Sequence, residues 1–154
     1  MLRVGETAID FALYDADKKE RKLSEFLVKG KKTILAFYPG AFTSVCTQEL
    51  CTFRDMFSDL EKVDAQLVAI SVDAPFAQKA FAERYGFGFP LLCDFNREVT
   101  QKYGVVWENL SGVRGYHVAN RAILILNSDG KVLYSWLAPH TGVNVDFDAI
   151  KRNL

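Results

Sequence analysis

The segment KKTILAFYPGAFTSVCTQELCTFRD, residues 31–55, decides the fold. Its first nine residues form an apolar run that is typical of a buried central strand, and a Pro-Gly pair then stops that run. From Thr43 onward the apolar side chains recur at helical intervals. This spacing predicts a helix over residues 43–62, with Thr43 or Ser44 at its N-cap. A buried strand that leads directly into a helix is the start of an α/β fold.

The rest of the chain extends this βα unit in both directions. Short β-rich runs and helical patterns follow one another, separated by turn-forming residues. The predicted elements are a hairpin of Asp10–Tyr14 and Arg21–Leu23, strands 66–72 and 89–94, helices Pro75–Tyr85, Arg97–Tyr103 and Asp146–Leu154, and a hairpin of strands 121–127 and 131–137 around Ser128-Asp129-Gly130. The order implies a mixed central sheet with helices on its faces. A thioredoxin-like fold with an N-terminal β-hairpin extension fits it, as do other small α/β folds.

Composition indicates one domain over residues 1–154 and excludes several classes of function. The 19 Lys and Arg residues balance 19 Asp and Glu residues, so no field is available to hold nucleic acid or an acidic membrane surface. The apolar runs are far shorter than the roughly 20 residues of a membrane helix. The first residues lack the pattern of a secretory signal, and three cysteines do not make an even disulfide framework. We therefore expect a cytoplasmic protein.

Cys46 is the strongest candidate for a reactive group. It lies in the first turn of the predicted helix, where unpaired N–H groups and the positive end of the helix dipole favour a thiolate. The alternative is a small buried apolar residue, which free cysteines usually are. Polar Thr43, Ser44 and Thr47 surround Cys46, which suits a reactive sulfur better.

Cys51 follows Cys46 by five positions in the same predicted helix. In an intact helix, residues at this spacing have Cα atoms about 8.6 Å apart and point away from each other. A disulfide requires about 4.4–6.8 Å, so a bond between these two cysteines would require the first helical turns to unwind. The C-x-x-C motif that closes without unwinding is absent, which disfavours a constitutive dithiol exchanger. The two histidines stand alone, which disfavours a zinc site.

The spacing from Pro39 through Thr43 to Cys46 resembles the P-x-x-x-T-x-x-C signature of the peroxiredoxins. The continuation CTQELCTFRD resembles the bacterioferritin-comigratory-protein (BCP) or PrxQ branch of that family. The resemblance runs from GETAIDFAL near the start to NRAILILNSDGKV, residues 120–132. It implies a thioredoxin-like fold and a thiol-dependent peroxidase that needs no metal or organic cofactor.

The resemblance also implies roles for individual residues. Cys46 would attack the peroxide and become a sulfenic acid. Thr43 would offer its hydroxyl to the thiolate and to the peroxide, and Pro39 would shield the site from water. Arg121 would stabilise negative charge on the sulfur and on the breaking O–O bond. Glu49 could orient Arg121 or a neighbouring loop, or it could be an ordinary solvated helix carboxylate.

The resemblance further implies that Cys51 resolves the sulfenic acid to a Cys46–Cys51 disulfide, which a thioredoxin-like donor would reduce. The substrates would be hydrogen peroxide and organic hydroperoxides, and the protein would be a monomer or a homodimer. Three alternatives stay open: a one-cysteine peroxidase with Cys51 structural, a general thiol–disulfide oxidoreductase, and a non-catalytic redox-responsive binding module. Cys93, more typical of a structural thiol, is the other candidate for resolution.

Overall fold

One seven-stranded mixed sheet forms the centre of the protein. The computed structural model describes all of residues 1–154. The strands are β1 Ala12–Asp15, β2 Glu20–Lys22, β3 Lys32–Phe37, β4 Ala65–Ser71, β5 Leu91–Cys93, β6 Val106–Trp107, β7 Val118–Ala119, β8 Ala122–Leu126 and β9 Val132–Leu137. The helices are α1 Leu23–Phe26, α2 Ser44–Asp55, α3 Phe57–Lys62, α4 Pro75–Tyr85, α5 Glu98–Lys102 and α6 Phe147–Arg152, with a 3₁₀ turn at Leu110–Gly112. None of these helices has the length and apolar character needed to cross a membrane.

The strand order of the large sheet is β2-β1-β5-β4-β3-β8-β9, and β6 pairs only with β7. Strands β3, β4 and β5 run parallel, while the outer strands pair antiparallel. The carboxyl ends of β3, β4 and β5 therefore lie at one edge of the sheet. The segments that follow these three strands meet at that edge, where α/β proteins commonly build their sites.

The alternating side chains of β3 divide the core into two clusters. Ile34 and Ala36 belong to the cluster that α2, α4 and α6 cover. Leu35 and Phe37 belong to the cluster on the opposite face, which α1 and α5 cover. All four side chains are fully buried. Because helices cover both faces, the strand is apolar at every position from Ile34 to Phe37 instead of alternating.

The predicted architecture is confirmed. The N-terminal hairpin pairs Leu13 with Arg21, and the C-terminal hairpin pairs Leu124 with Ser135, both antiparallel. The buried strand leads into α2, and α4 has the predicted bounds Pro75–Tyr85. A thioredoxin-like mixed sheet with flanking helices and an N-terminal hairpin is therefore the fold of this chain.

The single helix predicted over residues 43–62 is wrong in one respect: it is two helices, α2 and α3. The backbone of Met56, with ψ near −1°, ends the first and begins the second. Its carbonyl accepts from the N–H groups of both Asp59 and Leu60. Phe53, Met56 and Leu60 are all buried, so the apolar periodicity continues across the break and could not show it. The short α1, β6 and β7 were not predicted, because elements of two to four residues carry too little periodicity.

Candidate active site

Cys46 is the third residue of α2, directly beyond the carboxyl end of β3. Thr43 is the N-cap, with extended backbone, and its carbonyl accepts the Thr47 N–H at 2.9 Å. The Cys46 side chain is fully buried. Cys46 therefore lies in the first turn of the helix, where backbone N–H groups are unpaired and the positive end of the helix dipole lies, as the sequence predicts.

Arg121 reaches the sulfur from the neighbouring strand. It directly precedes β8, the antiparallel partner of β3, and its side chain is 1% exposed. One nitrogen, Nη2, donates to Cys46 Sγ at 3.3 Å and to the Thr141 carbonyl at 2.9 Å. The other, Nη1, donates to a carboxylate oxygen of Glu49. The planar guanidinium therefore joins α2, the sheet and the segment around Thr141 at one point.

Glu49 is fully buried, so the solvated carboxylate considered from the sequence is wrong. It lies one helical turn after Cys46 and ion-pairs with Arg121, while its second oxygen, Oε1, has no hydrogen-bond partner. Burial raises the pKa of Glu49 to about 7, although the charge and hydrogen bond of Arg121 oppose this. Burial lowers the pKa of Arg121, but the negative charges of Glu49 and Cys46 outweigh burial and raise it. The guanidinium therefore stays charged beside the sulfur.

The raised pKa of Glu49 predicts a pH-dependent stability. Between its ordinary value of 4.5 and about 7, the folded protein keeps a proton that the unfolded chain has released. The free energy of unfolding contributed by this group should therefore fall as pH rises through that window. Urea unfolding at about pH 5 and about pH 8 measures it, with Glu49→Gln as the non-titrating control. An equal pH response of the two proteins would contradict the prediction.

The predicted residues Pro39, Thr43, Cys46 and Arg121 line one pocket of about 180 Å³. The Thr43 hydroxyl donates to the Gly40 carbonyl at 2.9 Å, rather than to the sulfur. The other lining residues come from the same helix start and from two distant loops: Ser44, Val45, Leu110, Ser111, Thr141 and Gly142. Sequence reasoning missed the loop residues, because only the tertiary fold brings them to Cys46.

A larger groove of about 470 Å³ lies between the N-terminal hairpin and α4. Asp17, Lys79 and Phe87 are among its lining residues, and none of the predicted site residues or cysteines reaches it. Cavity size therefore does not mark the site in this protein. The smaller pocket contains the buried thiol and the buried guanidinium.

All three cysteines are free thiols. Cys51 is half-buried and lies with Cys46 on the unbroken helix α2. Ideal helix geometry separates their Cα atoms by about 8.6 Å, beyond disulfide range. Cys93 is 1% exposed at the end of β5. Burial raises the pKa of Cys93 to about 12, and the charges of Asp73 and Asp15 add to the effect.

These differences predict an order of thiol reactivity in the native, reduced protein. Cys93 should resist iodoacetamide at neutral pH, because its high pKa keeps it protonated and its burial excludes the reagent. Denaturation should make it as reactive as any exposed thiol. Peptide mass spectrometry after timed alkylation measures each site separately. Labelling of native Cys93 as fast as that of Cys51 would contradict the prediction.

Comparison with known proteins identifies the family of this chain. The AhpC/TSA family model matches residues 4–135, which is most of the chain. The chain belongs to this family. It is a peroxiredoxin of the Bcp/PrxQ kind, and hence an enzyme of the thiol peroxidase class. It is 32% identical to peroxiredoxin Bcp of Escherichia coli (strain K12) over 131 residues, covering 85% of this chain and 83% of that relative.

Two further relatives show how widely this similarity extends. Chloroplastic peroxiredoxin Q of Populus jackii is 35% identical over 125 residues, or 79% of this chain, and this peroxiredoxin spans only 58% of that relative's length. The crystal structure of peroxidoxin BcpB from Mycobacterium tuberculosis superposes with a TM-score of 0.85 at 34% identity, covering 99% of this chain and 95% of the other. The fold match therefore covers nearly the whole peroxiredoxin, and the family match covers most of it.

Proposed function

We propose that this peroxiredoxin reduces hydrogen peroxide and organic hydroperoxides with Cys46 as the attacking thiolate. The observation that carries the proposal is the 3.3 Å hydrogen bond from Arg121 Nη2 to Cys46 Sγ inside the pocket. The sulfur attacks the terminal peroxide oxygen, an S–O bond forms and the O–O bond breaks. The leaving oxygen takes up a proton and departs as water or alcohol, and Cys46 becomes a sulfenic acid.

The pocket residues divide the work of this step. Arg121 holds negative charge on the sulfur and then on the departing oxygen, since its guanidinium is fixed before the reaction begins. Glu49 holds Nη1 of that guanidinium, leaving Nη2 for the sulfur. The Thr43 hydroxyl, which donates to Gly40 in the absence of substrate, turns to the bound peroxide. Pro39 closes the wall of the pocket and keeps water from the sulfur.

We propose that Cys51 resolves the sulfenic acid. Its thiol sulfur attacks Cys46 Sγ, the disulfide forms, and the hydroxyl leaves as water. A thioredoxin-like dithiol then reduces this disulfide. The step requires the first turns of α2 to unwind, and the side chain of the N-cap Thr43 accepts no hydrogen bond from the N–H groups of this helix start. The buried Cys93, with a pKa of about 12, is much less suited to the role.

The experiment compares Cys51→Ser and Cys93→Ser in peroxide consumption driven by a thioredoxin system. We expect Cys51→Ser to lose about 10²-fold or more in turnover, because an intramolecular thiol at high effective concentration is gone. A single oxidation of Cys46 should survive in that variant, and Cys93→Ser should behave as wild type. Loss of turnover in Cys93→Ser instead would move resolution to Cys93. Full turnover in both variants would make the protein a one-cysteine enzyme.

We also propose that residues 1–154 act as one domain in the cytoplasm, as a monomer or a homodimer. Both core clusters pack on the same sheet, which supports one domain. The three free thiols suit a reducing compartment. Phe42 and Tyr116 are 51% and 39% exposed and offer apolar surface to a second copy. Light scattering during size-exclusion chromatography decides between monomer and homodimer.

A further inference from the structure

A carboxylate outside the pocket holds the loop of residues 39–43, here called the pocket loop. Asp73, just after β4, uses one oxygen, Oδ2, to accept the Ala41 N–H at 2.8 Å and the Ser71 hydroxyl at 2.6 Å. The Ala41 N–H lies between β3 and α2, so neither the sheet nor the helix supplies its partner. Asp73 therefore fastens the pocket loop to the end of the neighbouring strand.

Asp73 is the outer end of a buried polar chain. The Ser71 hydroxyl accepts from Gln78 Nε2 at 2.9 Å, and the same amide nitrogen donates to the Leu92 carbonyl at 3.1 Å. The Tyr38 hydroxyl donates to Gln78 Oε1. Tyr38, Ser71 and Gln78 are fully buried, so each must keep its partners to avoid an unsatisfied polar group. This chain fixes the carboxylate of Asp73 against β3, β4 and α4.

The pocket loop needs such a tether because its backbone is strained. Phe42 has φ of +64°, in the left-handed region that residues other than glycine rarely adopt. Its ring packs on Phe81 with the centroids 5.0 Å apart. The strained residue lies between Ala41, which Asp73 holds, and Thr43, the N-cap of α2. Movement at Ala41 would therefore pass to Thr43 and on to the turn that carries Cys46.

We propose that Asp73 is a positioning residue for peroxide reduction: through the Ala41 N–H it holds the pocket loop and the start of α2 where Cys46 meets Arg121. This inference rests on the proposed function and deepens it. Attack on peroxide needs the helix start in place, whereas the disulfide step needs it unwound. Loss of the tether therefore slows the first step and leaves the second as fast or faster.

The test compares Asp73→Ala with Asp73→Asn, whose amide oxygen can still accept the Ala41 N–H. Asp17→Ala is the matched control, because Asp17 is an exposed aspartate that pairs with Lys79 of α4 and does not contact the loop. Rapid quenching after hydrogen peroxide gives the rates of Cys46 oxidation and of disulfide formation separately. We expect Asp73→Ala to oxidise about 10- to 100-fold more slowly, a loss typical of a small misplacement of reacting groups. The other two variants should stay near wild type, and none should form the disulfide more slowly.

Hydrogen exchange of the Ala41 amide in the reduced protein tests the tether without peroxide. Exchange should be faster in Asp73→Ala and unchanged in Asp73→Asn and Asp17→Ala. Wild-type protein that fails to oxidise at Cys46 would refute the proposed function. The exchange result would still test whether Asp73 holds the Ala41 N–H. The inference is overturned if Asp73→Ala oxidises at the wild-type rate, if Asp73→Asn is as slow as Asp73→Ala, or if both steps slow equally.

Discussion

Replacing Cys46 with serine should abolish peroxide consumption by this peroxiredoxin. The serine hydroxyl stays protonated at neutral pH, so the pocket keeps its shape and its Arg121 guanidinium but loses its nucleophile. Removing the nucleophile of an enzyme that reacts through it costs about 10⁴-fold or more in rate. Disappearance of hydrogen peroxide, with protein in excess so that no reductant is needed, measures this loss.

The matched control for Cys46→Ser is Cys93→Ser, which also removes one buried thiol but lies outside the pocket. Both variants should unfold at similar urea concentrations, and only the Cys46 variant should lose the reaction. A Cys46→Ser protein that consumes peroxide at the wild-type rate would remove this residue from the mechanism. The protein would then be a redox-responsive binding module, or it would use a different reactive thiol.

Replacing Arg121 with methionine should slow the oxidation of Cys46 by about 10²- to 10³-fold, the usual cost of losing one fixed donor to developing negative charge. Methionine fills similar space, but the hydrogen bond to Cys46 Sγ and the one to the Thr141 carbonyl are lost. The oxidation rate of Arg121→Lys should lie between those of wild type and Arg121→Met. One ammonium keeps the positive charge but cannot reproduce the fork that joins Glu49 and Cys46. Single-turnover oxidation by hydrogen peroxide over a range of pH measures all three proteins.

Arg121→Met should also destabilise the fold, because it leaves the fully buried Glu49 without its cation. Breaking a buried ion pair on one side costs about 3–5 kcal/mol of the free energy of unfolding. Glu49→Gln with Arg121 intact separates the two effects, since the guanidinium keeps its contact with the sulfur. Folded Arg121→Met protein that oxidises as fast as wild type would show that Arg121 serves the fold alone.

The central βα unit could be predicted because its signals are local. The run is apolar from Ile34 to Phe37 and ends at Pro39, and the helical spacing starts immediately after Thr43. Arg121, in contrast, is 75 positions from Cys46 and was identified only through the family resemblance. Its reach depends on the pairing of β3 with β8, in which Phe37 lies opposite Ala122. A pairing between distant strands leaves no periodic trace in the sequence.

Other parts of the site depended on burial that the sequence could not supply. A glutamate in a helix is usually solvated, and only the guanidinium beside it explains why Glu49 is fully buried. Thr141 contributes a backbone carbonyl, which any residue type could provide. The strained φ of Phe42 was equally invisible, because aromatic residues seldom adopt that conformation. These features arise from tertiary contacts rather than from local pattern.

The proposed mechanism predicts which peptide carries the disulfide after one oxidation. Trypsin releases Cys46 and Cys51 together in residues 33–54, and Cys93 separately in residues 85–97. The protein is treated with one equivalent of hydrogen peroxide, alkylated without reduction and digested, and the peptides are analysed by mass spectrometry. The peptide of residues 33–54 should carry no alkyl group and should be two hydrogen atoms lighter than its reduced form. Residues 85–97 should carry the alkyl group. Residues 33–54 cross-linked to residues 85–97, or a Cys46 that carries the alkyl group, would contradict the account.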